Sequence, residues 1–200
     1  MLIAGLTGGM ACGKSFVARA LAEMGCHAIE ADEIGRELMQ PGEKTFDEIA
    51  AAFGSEILTA GGLIDRPKLA ARVFSNASDL ERLNAIVHPA VAERAREKMR
   101  RIGENDAHAI VIYVAAILIE SGNYRNADKI VVVTCTRAQQ IERALERSGA
   151  IESEILARLD RQMPLEEKCK YADYIIDTTG AKEETLRQTR VVYEDLRRLA

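Results

Sequence analysis

A glycine-rich run closed by lysine and serine can hold a polyphosphate, and residues 8–15 read Gly8-Gly9-Met10-Ala11-Cys12-Gly13-Lys14-Ser15. This is G-x-x-x-x-G-K-[ST], the P-loop pattern. Its glycines allow a tight turn that aims backbone N–H groups at one anion. A helix opening at the loop's end adds unpaired N–H groups and a favourable dipole. Lys14 brings a mobile positive charge to the outer phosphates, and the Ser15 hydroxyl can ligate Mg²⁺.

Phosphoryl transfer also needs a group that receives the acceptor's proton, and cations that neutralise charge. Asp32 follows the second expected strand and is the candidate base; it could equally cap the next helix. Glu120 follows the third strand. It could bind a ligand hydroxyl, hold Mg²⁺ through water, or form an ion pair. No carboxylate ends the run Ile110–Val114, so the usual Walker-B acid is missing there. Arg143 and Arg147 are spaced i, i+4 and share a face with Gln140. An anion opposite them would relieve their repulsion. With Arg158 and Lys168 they suggest a basic lid, unless Glu142, Glu146 and Glu152 pair with them on a solvated helix. Arg66 could hold a substrate phosphate or pair with Asp65. His88 reads more readily as a cap or packing residue than as a catalyst. Cys12, beside Lys14 and a helix start, is expected to favour its thiolate and to be more readily alkylated than Cys26 or Cys135.

The elements that must position these groups follow from periodicity and punctuation. Strands are expected at Leu2–Leu6, Cys26–Ile29, Ala109–Val114, Lys129–Cys135 and Tyr174–Asp177. Helices are expected at Lys14–Met24, Glu33–Met39, Arg137–Arg147 and Glu152–Gln162, the third stopping near Gly149. A closing helix, Lys182–Leu199, would bury Leu186, Val192 and Leu196. Residues 41–103 read as helices only. Thr45 caps one, Arg66-Pro67 opens another with Leu69, Ala70, Val73 and Phe74 inward, Ser78–Ile86 forms a third, and His88-Pro89 starts a long fourth. Alternating strands and helices imply an α/β, P-loop NTPase-type three-layer fold with a five-stranded parallel sheet. The nucleotide-binding core would comprise 1–40, 104–136 and 172–200. An all-helical insertion would be 41–103 and the lid 137–171.

Composition removes several function classes. A net charge of −4, from 27 basic and 31 acidic residues, leaves no basic excess for nucleic acid. Four cysteines without a C-x-x-C pair, and three histidines, argue against a zinc site or a disulfide framework. No apolar run approaches a membrane span, and the expected setting is the cytoplasm.

The pattern resembles the dephospho-CoA kinase family over nearly the whole chain. The resemblance rests on Gly5-Leu6-Thr7-Gly8-Gly9 with Gly13-Lys14-Ser15, Ala31-Asp32 with Arg36 and Pro41-Gly42, and Phe53-Gly54. It continues through Leu63 with Asp65-Arg66, Leu69-Ala70, Phe74, His88-Pro89, and Leu118 with Glu120-Ser121-Gly122. It ends with Gln140, Arg143, Arg147, Arg158, Gln162, Lys168, Ala172-Asp173, Ile176-Asp177 and Gly180. It implies a nucleotide core, a helical coenzyme A domain and a lid. It also implies Mg²⁺-dependent transfer from ATP to the ribose 3′-hydroxyl of 3′-dephospho-CoA, the last step of coenzyme A biosynthesis, by a chain expected to be a monomer. Asp32, Lys14 and Arg143 would be catalytic. Residues Gly8 to Phe16, with Arg147, would bind ATP. Asp32, Arg36, Arg66, His88, Leu118 and Glu120 would bind the acceptor.

Some positions depart from that pattern. Ala11-Cys12 replaces Gly-Ser, Phe16 replaces a small residue, Glu30 replaces Asp, and Ala116 replaces Pro. Thr178 stands where Asn is usual, on the adenine side. If position 11 has positive φ, its Cβ would cost about 1 kcal/mol or more. Two other readings share the core. One is a different small-molecule or nucleoside monophosphate kinase. The other is a nucleotide switch, against which stands the lack of an N-K-x-D base-reading motif.

Overall fold

Short β-branched runs alternating with helices build one parallel sheet. Its strands are β1 (Leu2–Gly8), β2 (His27–Glu30), β3 (Ile110–Val114), β4 (Lys129–Thr134) and β5 (Tyr174–Asp177). The computed structural model describes residues 1–148 and 151–200, with residues 147 and 148 described by backbone alone. The strand order is β2-β3-β1-β4-β5. Every pairing is parallel, so the expected five-stranded α/β architecture is present. All five residues of β3 are buried, as a strand covered on both faces requires. Leu6 pairs with Val114 on one side of β1, and Gly8 pairs with Val133 on the other. The sheet therefore reverses its order at β1. That is where an open parallel sheet forms a ligand crevice at its carboxyl edge.

The helices are α1 (Lys14–Glu23), α2 (Ala31–Leu38), α3 (Lys44–Phe53), α4 (Arg66–Ser75), α5 (Ala77–Asn105), α6 (Arg137–Ser148), α7 (Glu152–Leu159), α8 (Leu165–Cys169) and α9 (Lys182–Leu199). Residues Met1–Glu30 and Arg101–Ala200 form one compact unit, and Ala31–Arg100 form another. In the first, Val17, Ala18 and Leu21 of α1 and Val192 and Leu196 of α9 pack on Leu6, Ile112 and Val133. Leu186 is not part of that stripe; it is 38% exposed, and Thr185 and Thr189 take the inward positions instead. Leu118 wedges beneath β1, where a Cβ on Gly5 would lie 2.6 Å from its Cδ2.

In the second unit, Ile49, Phe53, Ile57, Ile64, Leu69 and Val73 make a separate core. Arg72 joins its helices by donating to the Phe53 carbonyl at 2.9 Å and to Asp79 at 3.0 Å. Asp65 caps α4 by accepting from the Lys68 N–H. α2 belongs to this unit, where Lys98 of α5 pairs with Glu37 at 2.8 Å.

Several local expectations need correction. Thr45 does not cap α3; Glu43 holds that position and Thr45 is buried within the helix. Phe74, expected inward, is 43% exposed. The two helices expected on either side of His88 are one, α5, with Pro89 inside it. Proline lacks the N–H that would bond the Ala85 carbonyl, so this helix is held through packing of residues such as Leu83, Ile86 and Val87. The helix expected to Gln162 stops at Leu159, before Pro164, and α8 follows it. The expected stop near Gly149 lies outside the described residues.

Candidate active site

The loop leaving β1 is shaped by close approaches. Gly8 has φ 148°, and a Cβ there would sit 2.2 Å from the Val133 carbonyl oxygen. A Cβ on Gly9 would meet Gln140 Nε2 at 2.2 Å. Gly13 is left-handed at φ 89° and opens α1, whose first residue is Lys14. Lys14 folds back over the loop, donating to the carbonyls of Gly8 (3.1 Å) and Gly9 (2.8 Å). Its ammonium thus sits over the turn that a phosphate would enter. Ser15 is exposed beside it, and Phe16 is half-buried.

Ala11 has φ 59°, the one left-handed residue other than glycine among those described. Strain at such a residue costs about 1–2 kcal/mol. Its methyl, however, is half-buried against the cluster of Ala144, Ile155 and Leu159, and burying a methyl contributes up to about 0.8 kcal/mol. The two effects oppose. Thermal unfolding of Ala11→Gly is therefore expected to shift stability by less than about 1 kcal/mol in either direction. Ala11→Val, β-branched at positive φ, should cost clearly more. Equal stability of the Val variant and the wild type would refute a left-handed residue 11.

The same loop is gripped by the helical segment 137–171. Met10 N–H donates to Gln162 Oε1 at 2.9 Å, and the Met10 carbonyl accepts from Gln140 Nε2 at 2.8 Å. Both polar groups of one loop peptide residue are thereby held by that segment, above an apolar seam. Gln140 was legible only as a neighbour of Arg143 on α6; here it is buried against the loop.

Thr178, a departure from the family pattern, ties three elements together. Its hydroxyl lies 2.9 Å from the Cys12 carbonyl and 3.0 Å from that of Thr134. It accepts from Arg143 Nη1 at 3.0 Å, while Nη2 donates to the Thr178 carbonyl at 2.7 Å. Arg143 is thus drawn onto the wall of a recess of about 480 Å³, shared with Gly13, Phe16, Glu146 and Gly180. The Arg147 side chain lies outside the described residues. A second recess, about 540 Å³, opens beside Gly9, between Cys135, Gln140, Gln162 and Glu166.

Glu120 and Lys168 find each other. Lys168, expected on a basic lid, has a fully buried side chain. It donates to Glu120 Oε2 at 3.0 Å and to the Ala116 carbonyl at 2.7 Å. Glu120 Oε1 also accepts from the Met163 N–H. Leu118 has no exposed surface, so it supports the central strand β1 rather than presenting a face to a ligand.

The expected reactivity of Cys12 is overturned. Its side chain is fully buried and its sulfur lies 3.1 Å from Cys135 Sγ. The hydrogen bond to Cys135, then burial, push the Cys12 thiol far above the ordinary thiol range, outweighing Lys14. The same hydrogen bond, with help from Arg143 and Lys14, lowers Cys135. Burial pushes Cys26 up to about 11. Cys135, not Cys12, is the thiol primed to ionise, and one sequence cannot show that residues so far apart meet.

The second unit carries Asp32, Arg36, Arg66 and His88. Asp32 is exposed in the first turn of α2, which begins at Ala31 directly from β2, so Asp32 is not an N-cap. Its charge still suits the helix's positive end. Arg36 and Arg66 are exposed, and Asp65 pairs with Lys68 rather than Arg66. Burial lowers the His88 pKa, which keeps the imidazole neutral at neutral pH.

Comparison with known proteins agrees with this arrangement. The family model described as dephospho-CoA kinase matches residues 2–184. A dephospho-CoA kinase of Geobacter metallireducens is 43% identical over 98% of this chain and 96% of its own length. One from Geobacillus kaustophilus is 43% identical over 94% of this chain and 92% of its own. A crystal structure from Thermus thermophilus superimposes with TM-score 0.81 at 30% identity, covering 98% of this chain and 97% of that one. The Campylobacter jejuni dephospho-CoA kinase gives 0.73 at 25% identity, with the same coverage. With the loop at the sheet's switch point and a match over most of its length, the chain belongs to the dephospho-CoA kinase family.

Proposed function

We propose that this chain transfers the γ-phosphoryl group of ATP to the ribose 3′-hydroxyl of 3′-dephospho-CoA, giving coenzyme A and ADP. The observation that carries this is Lys14 poised over a glycine loop at the switch point of the sheet, in a chain that matches this family throughout. The loop amides, Lys14 and the start of α1 hold the β- and γ-phosphates. The recess beside Gly13, Phe16, Arg143 and Thr178 has room for the nucleoside.

The segment 137–171 acts as the lid, with Arg143 and Arg147 meeting the transferred charge. This requires Arg143 to exchange Thr178 for phosphate as the lid closes. Residues 41–103 form the acceptor domain, in which Arg36 at its edge, Arg66 and His88 hold dephospho-CoA. Asp32 receives the proton of the attacking hydroxyl, and its position two residues past the end of β2 supports that role. Leu118 and Glu120 serve the acceptor side.

Among the described residues no cluster of three His, Cys, Asp or Glu could cage a metal. An exposed hydroxyl in the first turn of α1 suits Mg²⁺, which retains waters and enters with phosphates. Ser15 would hold it, and when bound it would neutralise charge on the transferring phosphates. The chain acts as a monomer in the cytoplasm, without nucleic acid. Among the described residues no helix is long and apolar enough to cross a membrane.

A substrate panel tests the assignment. ATP turnover is expected with 3′-dephospho-CoA and not with nucleoside monophosphates. Turnover with a monophosphate and none with dephospho-CoA would refute it. Binding of ATP with no transfer to any hydroxyl would point to a switch.

A further inference from the structure

We propose that Cys12 and Cys135 form a reversible disulfide that switches the phosphate-binding loop off under peroxide. The two sulfurs lie 3.1 Å apart, one inside the loop and the other just after β4. A disulfide bond is about 2.05 Å long, so roughly 1 Å of approach closes it. Access and chemistry fall on different partners. Cys12 is wholly buried, whereas Cys135, itself only 9% exposed, lines the recess beside Gly9. Cys135 is also the thiol whose ionisation its neighbours favour.

The order of steps follows. The Cys135 thiolate attacks one oxygen of hydrogen peroxide. The O–O bond breaks, hydroxide leaves and takes up a proton as water, and Cys135 becomes a sulfenic acid. The Cys12 sulfur, already in contact, then attacks that sulfenic sulfur. The S–O bond breaks, the thiol proton of Cys12 leaves with the oxygen as a second water, and the S–S bond forms. Each sulfur loses one electron, and the two electrons reduce the peroxide. A dithiol reductant reverses the link by exchange.

Closure has a mechanical consequence. The Cys12 carbonyl is held by Thr178 Oγ1 at 2.9 Å, and its N–H by the Gly9 carbonyl at 3.3 Å. Its neighbours Ala11 and Gly13 are both left-handed, so the loop has little slack. Pulling Cys12 toward β4 disturbs those bonds and shifts Lys14, two residues on, away from the phosphate position. Cys26 lies in the core, and burial also raises the thiol of Cys169. Cys169 lines the same recess as Cys135, but among the described residues the sulfur in contact with Cys135 is that of Cys12, so neither Cys26 nor Cys169 should enter the link.

The test uses the intact chain treated with graded hydrogen peroxide, then non-reducing peptide mapping by mass spectrometry beside an ATP turnover assay. A Cys12–Cys135 linked peptide is expected. Loss of turnover should track the linked fraction, and dithiothreitol should restore both. Cys135→Ala should retain turnover and lose its sensitivity to the same dose. The proposal fails if the link never forms, if it forms through Cys26 or Cys169, or if linked protein keeps full turnover. It also fails if Cys135→Ala is inactivated as readily as the wild type. Should that variant not fold, the wild-type correlation between link and turnover decides alone.

Discussion

Asp32→Asn is expected to bind ATP with near wild-type affinity and to turn over about 10²–10⁴-fold more slowly, the range typical for loss of a general base. The substitution is nearly isosteric, and Asp32 is exposed in the first turn of α2 and belongs to neither hydrophobic core. Losing one charge at a helix start costs at most about 1 kcal/mol of stability. That is too little to unfold a domain with ordinary stability, so a large fall in kcat would belong to chemistry. Lys14→Ala gives the contrasting pattern, because its ammonium sits over the loop itself and its loss weakens triphosphate binding and turnover together. Steady-state kinetics and an independent ATP-binding isotherm separate the two. An Asp32→Asn variant with near-normal kcat would reduce Asp32 to a charge that complements the helix dipole.

Local chemistry was legible in the sequence wherever a residue's partners are its near neighbours. The loop pattern marked the turn between β1 and α1, and β-branched runs marked the strands to within a few residues. Arg66-Pro67 marked the start of α4. Legibility failed where partners are distant. Nothing local reveals that Gln140 and Gln162 hold the two polar groups of Met10, or that the thiols of Cys12 and Cys135 meet across 123 positions. Lysine at position 168 reads as a surface cation until Glu120 and the Ala116 carbonyl are placed around it. Pro89 misled for a different reason. Proline's preference for a first turn is a local bias, and packing of α5 on both sides of it overrode that bias. The positive φ of Ala11 was foreseen only through its departure from a glycine in related chains, because propensity at one position cannot show a left-handed turn.

Lys168 provides the second large effect. Its side chain is fully buried and its partner Glu120 is 23% exposed. Removing one member of a buried pair costs about 3–5 kcal/mol, because the other keeps its charge without its partner. Lys168→Ala also strips the Ala116 carbonyl of its donor. Glu120 retains the Met163 N–H and some water, which places the expected cost near the lower end, about 3 kcal/mol. For a chain of this size that corresponds to a fall in melting temperature of about 6–12 °C. Lys168→Met combined with Glu120→Gln removes both charges and should recover part of that loss, which a double-mutant cycle would read as coupling. The competing role, a lid cation that reaches the phosphates, makes the opposite forecast. It requires Lys168→Ala to raise the KM for ATP or lower kcat while melting stays near wild type. The geometry favours the first outcome: to reach a phosphate, Lys168 would have to give up a carboxylate and a carbonyl and leave a site from which water is excluded. Adding nucleotide could reverse that balance only if its phosphates offered the ammonium more than those two bonds together. Measuring the melting loss with and without bound ATP therefore decides whether Lys168 keeps Glu120 and the Ala116 carbonyl in both states or changes partner when nucleotide binds.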